Sequence, residues 1–319
     1  MEELYRDVMF EPWSMGDAVI AAAIAREDPE RFTLLCDERW GDLIRMGLPD
    51  NSPLQIVGVH LPYTMRNARH KYSLPDALAI SGEISKIDVV FNIRGDIRDR
   101  RASRKLFPGT RIRQSGWFGF VARRSAAIDA LATHGFVNVR NRYKAWCDLT
   151  GVSFDKVVRR YRTKVRPKPT RVVIHIGAQW GSRRYPHVLE LTRRLQALGI
   201  EIDVVRGPGD RLTEDLPPGL CAEISGAALA ECFRSATVVV ANDSGPMHFA
   251  AYLGCNTLCI GSVSNLVEWI PPTVCAMTPP KIPRGYRPLP NYMSDRSISE
   301  WPAPGDVVHR VLSILGGGD

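Results

Sequence analysis

Four residues able to do chemistry fall within six positions of the stretch VVVANDSGPMHFAAYLG, Val238 to Gly254: Asp243, Ser244, Gly245 and His248. Pro246 suits the first turn of a helix, so Ser244 and Gly245 stand where backbone N–H groups lack an intrahelical partner and point outward. Such a terminus binds an anion, typically phosphate. Asp243 is then out of place, because a carboxylate repels a phosphate unless it accepts hydrogen bonds from hydroxyls attached to that phosphate. A sugar phosphate meets both requirements. The plainer alternative makes Asp243 or Ser244 a helix cap and packs His248 against a sheet.

The elements that must position these residues follow from hydrophobic patterning. Apolar runs alternate with helical patterns along the chain, which is the rhythm of βαβ units around a parallel sheet. DVMFEP, RFTLLCD, LQIVGVH and KIDVVFNIRG read as strands in the first half, and SMGDAVIAAAIARE reads as a helix with Ser14 at the N-cap and Asp17 at N3. The rhythm breaks at RRYRTKVRPKPTR and restarts with RVVIHIGAQ, the helix PHVLELTRRLQALG closed by Gly199, and IEIDVVRGPGD. LAECFRSA, TVVVAND, GPMHFAAYLG and NTLCIGS continue it, and APGDVVHRVLSILG predicts a closing helix able to pack on either core. The boundaries predicted are a first domain over 1–158, a basic Pro-containing linker over 159–170, a second domain over 171–300 and the terminal helix over 301–319.

Composition narrows the function classes. The 319 residues are 45% hydrophobic and 24% charged, enough for two globular cores. Neither a signal peptide nor a run of about 18 apolar residues is present, which predicts a cytoplasmic protein. The seven cysteines lack the paired spacing of zinc or redox sites and read as free, mostly buried thiols. The net charge of +8 is local: Arg94–Arg124 holds ten basic and two acidic residues, and Lys156–Arg171 eight basic and none acidic. Removing these from the totals of 42 and 34 leaves 24 basic against 32 acidic residues, so the rest of the chain is net acidic. Local positive charge attracts phosphates, anionic sugars, nucleic acid or an anionic membrane, or is a solvated face. No zinc-finger, aromatic RNA-binding or zipper pattern accompanies it, which disfavours nucleic acid.

The donor-like stretch resembles the signature of glycosyltransferase family 9, the ADP-heptose:lipopolysaccharide heptosyltransferases. SMGDAVIAA resembles the family's N-terminal Ser-x-Gly-Asp loop, KIDVVFNIRG its strand before the acceptor region, IHIGAQWGSRRYP its second phosphate loop and VVRGPGD its Gly-Gly-Pro turn. These landmarks run from about Phe10 to Gly261. The resemblance implies an α/β protein of GT-B fold, two Rossmann-like domains facing across a cleft, with the nucleotide held by the second. It also implies an inverting, metal-independent transfer that uses a nucleotide-sugar donor, ADP-heptose, and no cofactor. Asp17 matches the family's catalytic base. Arg183 stands where the family has Lys to oppose the diphosphate, and a guanidinium keeps that charge with different geometry. Gly177 and Gln179 would line the facing loop, with Asp243, Ser244, Gly245 and His248 on the donor.

The acceptor side implied is the first domain, where Arg66, Arg69 and Lys71 in TMRNARHKY would meet an anionic glycan such as a lipopolysaccharide inner core. The run Arg94–Arg124, including SGWFGFVARR, would add to that surface or touch an anionic membrane at its inner face. The chain departs from the family at Asn256, at Ile260 and in SVSNLVEW, which points to a donor pocket of its own. Two rivals remain: a GT-B enzyme using another nucleotide-sugar or acting as epimerase or hydrolase, and a non-catalytic binder of sugar phosphate or polyanions.

Overall fold

The computed structural model describes residues 6–60, 79–81, 84, 86–93, 97–114, 141–162, 170–211, 215–262, 266–278 and 301–317. The chain divides into two compact units, Met1–Val121 with Arg142–Arg159, and Ala122–Asn141 with Arg160–Asp319. Most of the predicted linker, 163–169, and the tail 279–300 lie outside the described residues. No helix among the described residues is long and apolar enough to cross a membrane.

In the first unit, β1 (Arg6–Glu11), β2 (Phe32–Asp37), β3 (Gln55–His60), β4 (Ala79–Ser81), β5 (Ile87–Asn92) and β6 (Arg111–Gln114) form one sheet in the order β4-β3-β2-β1-β5-β6. All neighbours are parallel except β3 and β4. The central strands read as unbroken apolar runs because both sheet faces are covered. Val8, Phe10, Leu35, Val59 and Val90 pack on Ala102 and Phe107, at and just beyond α3 (Ile97–Leu106). Helix α1 (Met15–Ala25) is buried from Asp17 to its end, which its run of Ala, Val and Ile allows. Helices α2 (Glu38–Met46), α4 (Arg142–Thr150) and α5 (Phe154–Tyr161) complete the described elements up to the boundary region.

The second unit repeats the plan. Strands β7 (Arg171–His175), β8 (Glu201–Arg206), β9 (Cys221–Glu223), β10 (Val238–Asn242), β11 (Thr257–Ile260) and β12 (Cys275–Met277) form an all-parallel sheet in the order β12-β11-β10-β7-β8-β9. Side chains alternate across it with period two. Val172, Ile174, Val238, Val240, Leu258 and Ile260 meet Val188, Leu191 and Leu195 of α6 (Val188–Gln196) on one face. Ala241 and Cys259 meet Met247 of α8 (Gly245–Tyr252) and Leu266 of α9 (Leu266–Trp269) on the other. Gly199 ends the α6 segment at φ 75°, a left-handed turn that only glycine adopts without strain. The closing helix, α10 (Pro304–Leu315), docks on this unit, because Val307 and Val311 enter the same core as Val172. Helix α7 (Gly226–Ser235) packs Phe233 beside Phe249.

The cysteines carry no disulfide, as expected, but only Cys36, Cys147 and Cys259 are buried; the other four are half-buried. Burial pushes the Cys36 and Cys147 thiols up to about 12, so both stay protonated and inert. Among the described residues no three metal-ligating side chains cluster.

Candidate donor site and candidate base

In an open parallel sheet, ligands bind beyond the carboxyl ends of the strands where the connection order reverses. In the second unit the chain leaves β7 toward β8 and β9, then returns on the far side of β7 as β10. The crevice therefore lies between the loop after β7, Ile176 to Pro186, and the short turn from β10 into α8.

The β7 loop is held by its own and its neighbour's polar groups. Asn242, 3% exposed at the end of β10, donates from Nδ2 to the Ile176 carbonyl at 2.8 Å and accepts the Tyr185 N–H on Oδ1 at 3.1 Å. One amide side chain thus spans both ends of the loop. Inside the loop, Arg184 Nε donates to the Ala178 carbonyl at 2.8 Å and Nη2 to the Gln179 carbonyl at 3.1 Å. Ser262 Oγ donates to the Ser182 carbonyl at 2.8 Å. The Tyr185 hydroxyl donates to the Pro302 carbonyl at 3.0 Å, and its ring lies edge-on to Trp301.

Gly177 is buried in this loop, Gln179 is exposed on it, and a third loop explains the glycine. A Cβ at Gly177 would collide with the Asp210 carboxylate and crowd the His175 ring. Asp210 accepts the Gly207 N–H on Oδ2 at 2.9 Å, and its own carbonyl accepts Arg206 Nη1 at 2.9 Å, so the turn after β8 is locked against the β7 loop. Burial pushes the His175 imidazole down to about 4, leaving it neutral at the foot of the loop.

Across the crevice, Ser244 takes the N-cap position of α8 in extended backbone, yet its hydroxyl does not cap the helix; it donates to the Asn242 carbonyl at 3.3 Å. Ser244 is therefore not a side-chain cap, while the burial of His248 agrees with its packing inside the unit. Asp243 is 2% exposed, and its carboxylate meets Arg183 Nη1 at 3.4 Å, the same nitrogen donating to the Asp243 carbonyl at 3.4 Å. His248 is buried within α8. The structure thus brings Gly177, Gln179, Arg183, Asp243, Ser244 and Gly245 to one switch point, with His248 a turn deeper. An uncapped helix start beside a guanidinium can hold a phosphate group.

The first unit has the same switch point, between β1 and β5. Asp17 sits there in the first turn of α1, 9% exposed. The Ser14 hydroxyl accepts the Asp17 N–H at 3.2 Å and donates to Asp17 Oδ2 at 2.8 Å, which fixes the carboxylate at the helix start. Glu11, fully buried at the end of β1, accepts the Trp13 N–H at 3.3 Å and holds the intervening turn. Arg66, Arg69 and Lys71 lie outside the described residues, as does SGWFGFVARR. Of the basic run, Arg100, Arg101, Arg104 and Lys105 on α3 and Arg111 and Arg113 on β6 are described, and all six are exposed.

Sequence patterning missed Asn242, Arg184 and Asp210. Asn242 adjoins the recognised motif and is a polar residue ending an apolar strand, which is the signal that could have found it. Arg184 and Asp210 act through backbone groups and carry no such signal.

The family described as glycosyltransferase family 9 (heptosyltransferase) matches the chain over residues 151–276. No curated protein matches it. Among solved structures, the chain is similar to a glycosyl transferase family 9 protein from Veillonella parvula DSM 2008, at 13% identity and a TM-score of 0.58 over 99% of both chains. It is also similar to E. coli ADP-heptose lps heptosyltransferase II, at 14% identity and a TM-score of 0.52 over 98% of this chain and 99% of that one. E. coli heptosyltransferase WaaC, solved with ADP, matches at 15% identity and a TM-score of 0.51 over 86% of this chain and 91% of that one. These likenesses concern the fold, a GT-B pair of Rossmann-like α/β units.

Proposed function

We propose that the chain, whose residues 151–276 match the glycosyltransferase family 9 model, is a glycosyltransferase that transfers a sugar, heptose from ADP-heptose, to an anionic glycan hydroxyl with inversion. The observation that carries this reading is the uncapped start of α8 facing Arg183 at the β7/β10 switch point. The leaving diphosphate gains charge as the glycosidic bond breaks. The Ser244 and Gly245 amides and the Arg183 guanidinium would offset that charge without a metal ion. WaaC has been solved with ADP, which supports an adenine nucleotide here.

Asp17 would take the proton of the acceptor hydroxyl as its oxygen attacks the anomeric carbon from the face opposite the diphosphate. Arg66, Arg69 and Lys71 would receive the acidic acceptor, a lipopolysaccharide inner core or similar glycan. The exposed basic residues of α3 and β6 would rest the protein on the cytoplasmic face of an anionic membrane.

The test is a thermal-shift panel of ADP, UDP, GDP and their sugars. Selective stabilisation by ADP and ADP-heptose is expected. Stabilisation by UDP or GDP instead overturns the heptose donor and keeps the chemistry, and stabilisation by none overturns the site.

A further inference from the structure

We propose that Asp243 is a positioning residue that aims Arg183 at the donor diphosphate, rather than a group that receives the sugar hydroxyls; this rests on the donor reading above. The two residues lie 60 positions apart on opposite sides of the switch-point crevice. Their order in depth decides their roles. The Asp243 side chain is 3% exposed and that of Arg183 is 21% exposed, so the carboxylate is the more deeply buried of the two.

Two contacts at 3.4 Å link Arg183 Nη1 to Asp243, a hydrogen bond to its backbone carbonyl and an ion pair, without a hydrogen bond, to carboxylate Oδ2. An arginine side chain has many rotamers, and a buried anion behind it removes most of them before a ligand arrives. The loop carrying Arg183 is itself fixed, because the next residue, Arg184, is tied to the Ala178 and Gln179 carbonyls. Adjacent arginines therefore divide the work: the buried Arg184 shapes the loop, and the half-buried Arg183 pairs with Asp243. The pairing also resolves the difficulty of a carboxylate beside a phosphate site. With its charge balanced by Arg183, Asp243 no longer repels the diphosphate and needs no hydroxyl to offset it.

The experiment measures the affinity of AMP, ADP and ADP-heptose for the wild type and for Asp243→Asn, Asp243→Glu and Arg183→Gln. Asp243→Asn should weaken ADP by about tenfold or more while changing AMP little and leaving the ratio of ADP-heptose to ADP affinity as in the wild type. Arg183→Gln should reproduce that pattern, and the double variant should be no weaker than either single one. Asp243→Glu keeps the charge on a longer arm and should retain most of the preference for ADP over AMP, so the proposal stays testable if the Asn variant fails to fold. An Asn or Glu variant that binds ADP like the wild type but loses affinity for ADP-heptose alone would overturn it and assign Asp243 to the sugar. Should the wild type bind none of the three ligands, the donor reading itself falls and takes the proposal with it.

Discussion

The two units build the same switch point with opposite hydrogen bonding. Helices α1 and α8 both begin with a serine at the N-cap beyond the carboxyl end of a central parallel strand. At α1 the serine hydroxyl accepts a helix N–H and donates to the Asp17 carboxylate, so the positive end of the helix is already occupied by an acid. At α8 the serine hydroxyl turns back to the Asn242 carbonyl, and the nearby carboxylate pairs with Arg183. One end is closed around a carboxylate; at the other the serine hydroxyl leaves the helix amides uncapped. The lesson is that topology fixes where a site lies, while one hydroxyl's choice of partner fixes what it can hold.

The largest expected break in this comparison is at Asp17. Asp17→Ala should lower turnover by about two to four powers of ten, typical of a lost general base, while ADP-induced stabilisation of the second unit stays as in the wild type. Unchanged turnover would leave α1 with a helix-start acid and no catalytic role.

A smaller effect concerns the interior behind the α8 site. In the unfolded chain the His175 imidazole protonates near 6.5, whereas in the fold it stays neutral down to about 4. The unfolded state therefore binds more protons between those values. The contribution is complete above pH 6.5 and declines as pH falls toward 4, by up to about 3 kcal/mol. Urea denaturation across that window should show the decline in the wild type and a flatter profile in His175→Leu.

Next in size is the close approach at Gly177. Gly177→Ala should destabilise the second unit by about 1–3 kcal/mol, since its methyl meets the Asp210 carboxylate. Adding Asp210→Ala should recover part of the loss in a double-mutant cycle, and failure to recover would mean that the loop clashes elsewhere.

The smallest effects sharpen the comparison most directly. Ser14→Ala removes a working cap and should cost about 1 kcal/mol by chemical denaturation. Ser244→Ala removes a hydroxyl that caps nothing and should cost only a few tenths of that. Equal losses would show that α8 is capped after all.

The sequence made β1, β2, β3, β5, β7, β8, β10 and β11 and the helices at both switch points legible, because burial on two faces left continuous apolar runs. It also made the residue set of the donor loop legible, because Asp243 to Gly245 and Pro246 are contiguous. What it hid depends on partners distant in the chain. Nothing near Asn242 announces that its amide joins Ile176 to Tyr185, 66 and 57 positions away. The role expected for Asp243 toward sugar hydroxyls came from one loop considered alone, whereas its burial and its pairing with Arg183 come from two. The short outer strands β4, β6, β9 and β12 lack the continuous apolar runs that form a pattern. The terminal helix showed its apolar face at Val307 and Val311, but which core receives that face is a tertiary fact.

The hydroxyl of Tyr185 reaches the Pro302 carbonyl just ahead of α10, with Trp301 against its ring. That tether makes the segment ahead of α10 a mechanical brace for the β7 loop. Trimming back past Trp301, or fusing a bulky tag tightly to Leu315, would loosen nucleotide capture from the far end of the polypeptide, so reagents built on this protein are better extended from a long spacer or tagged elsewhere.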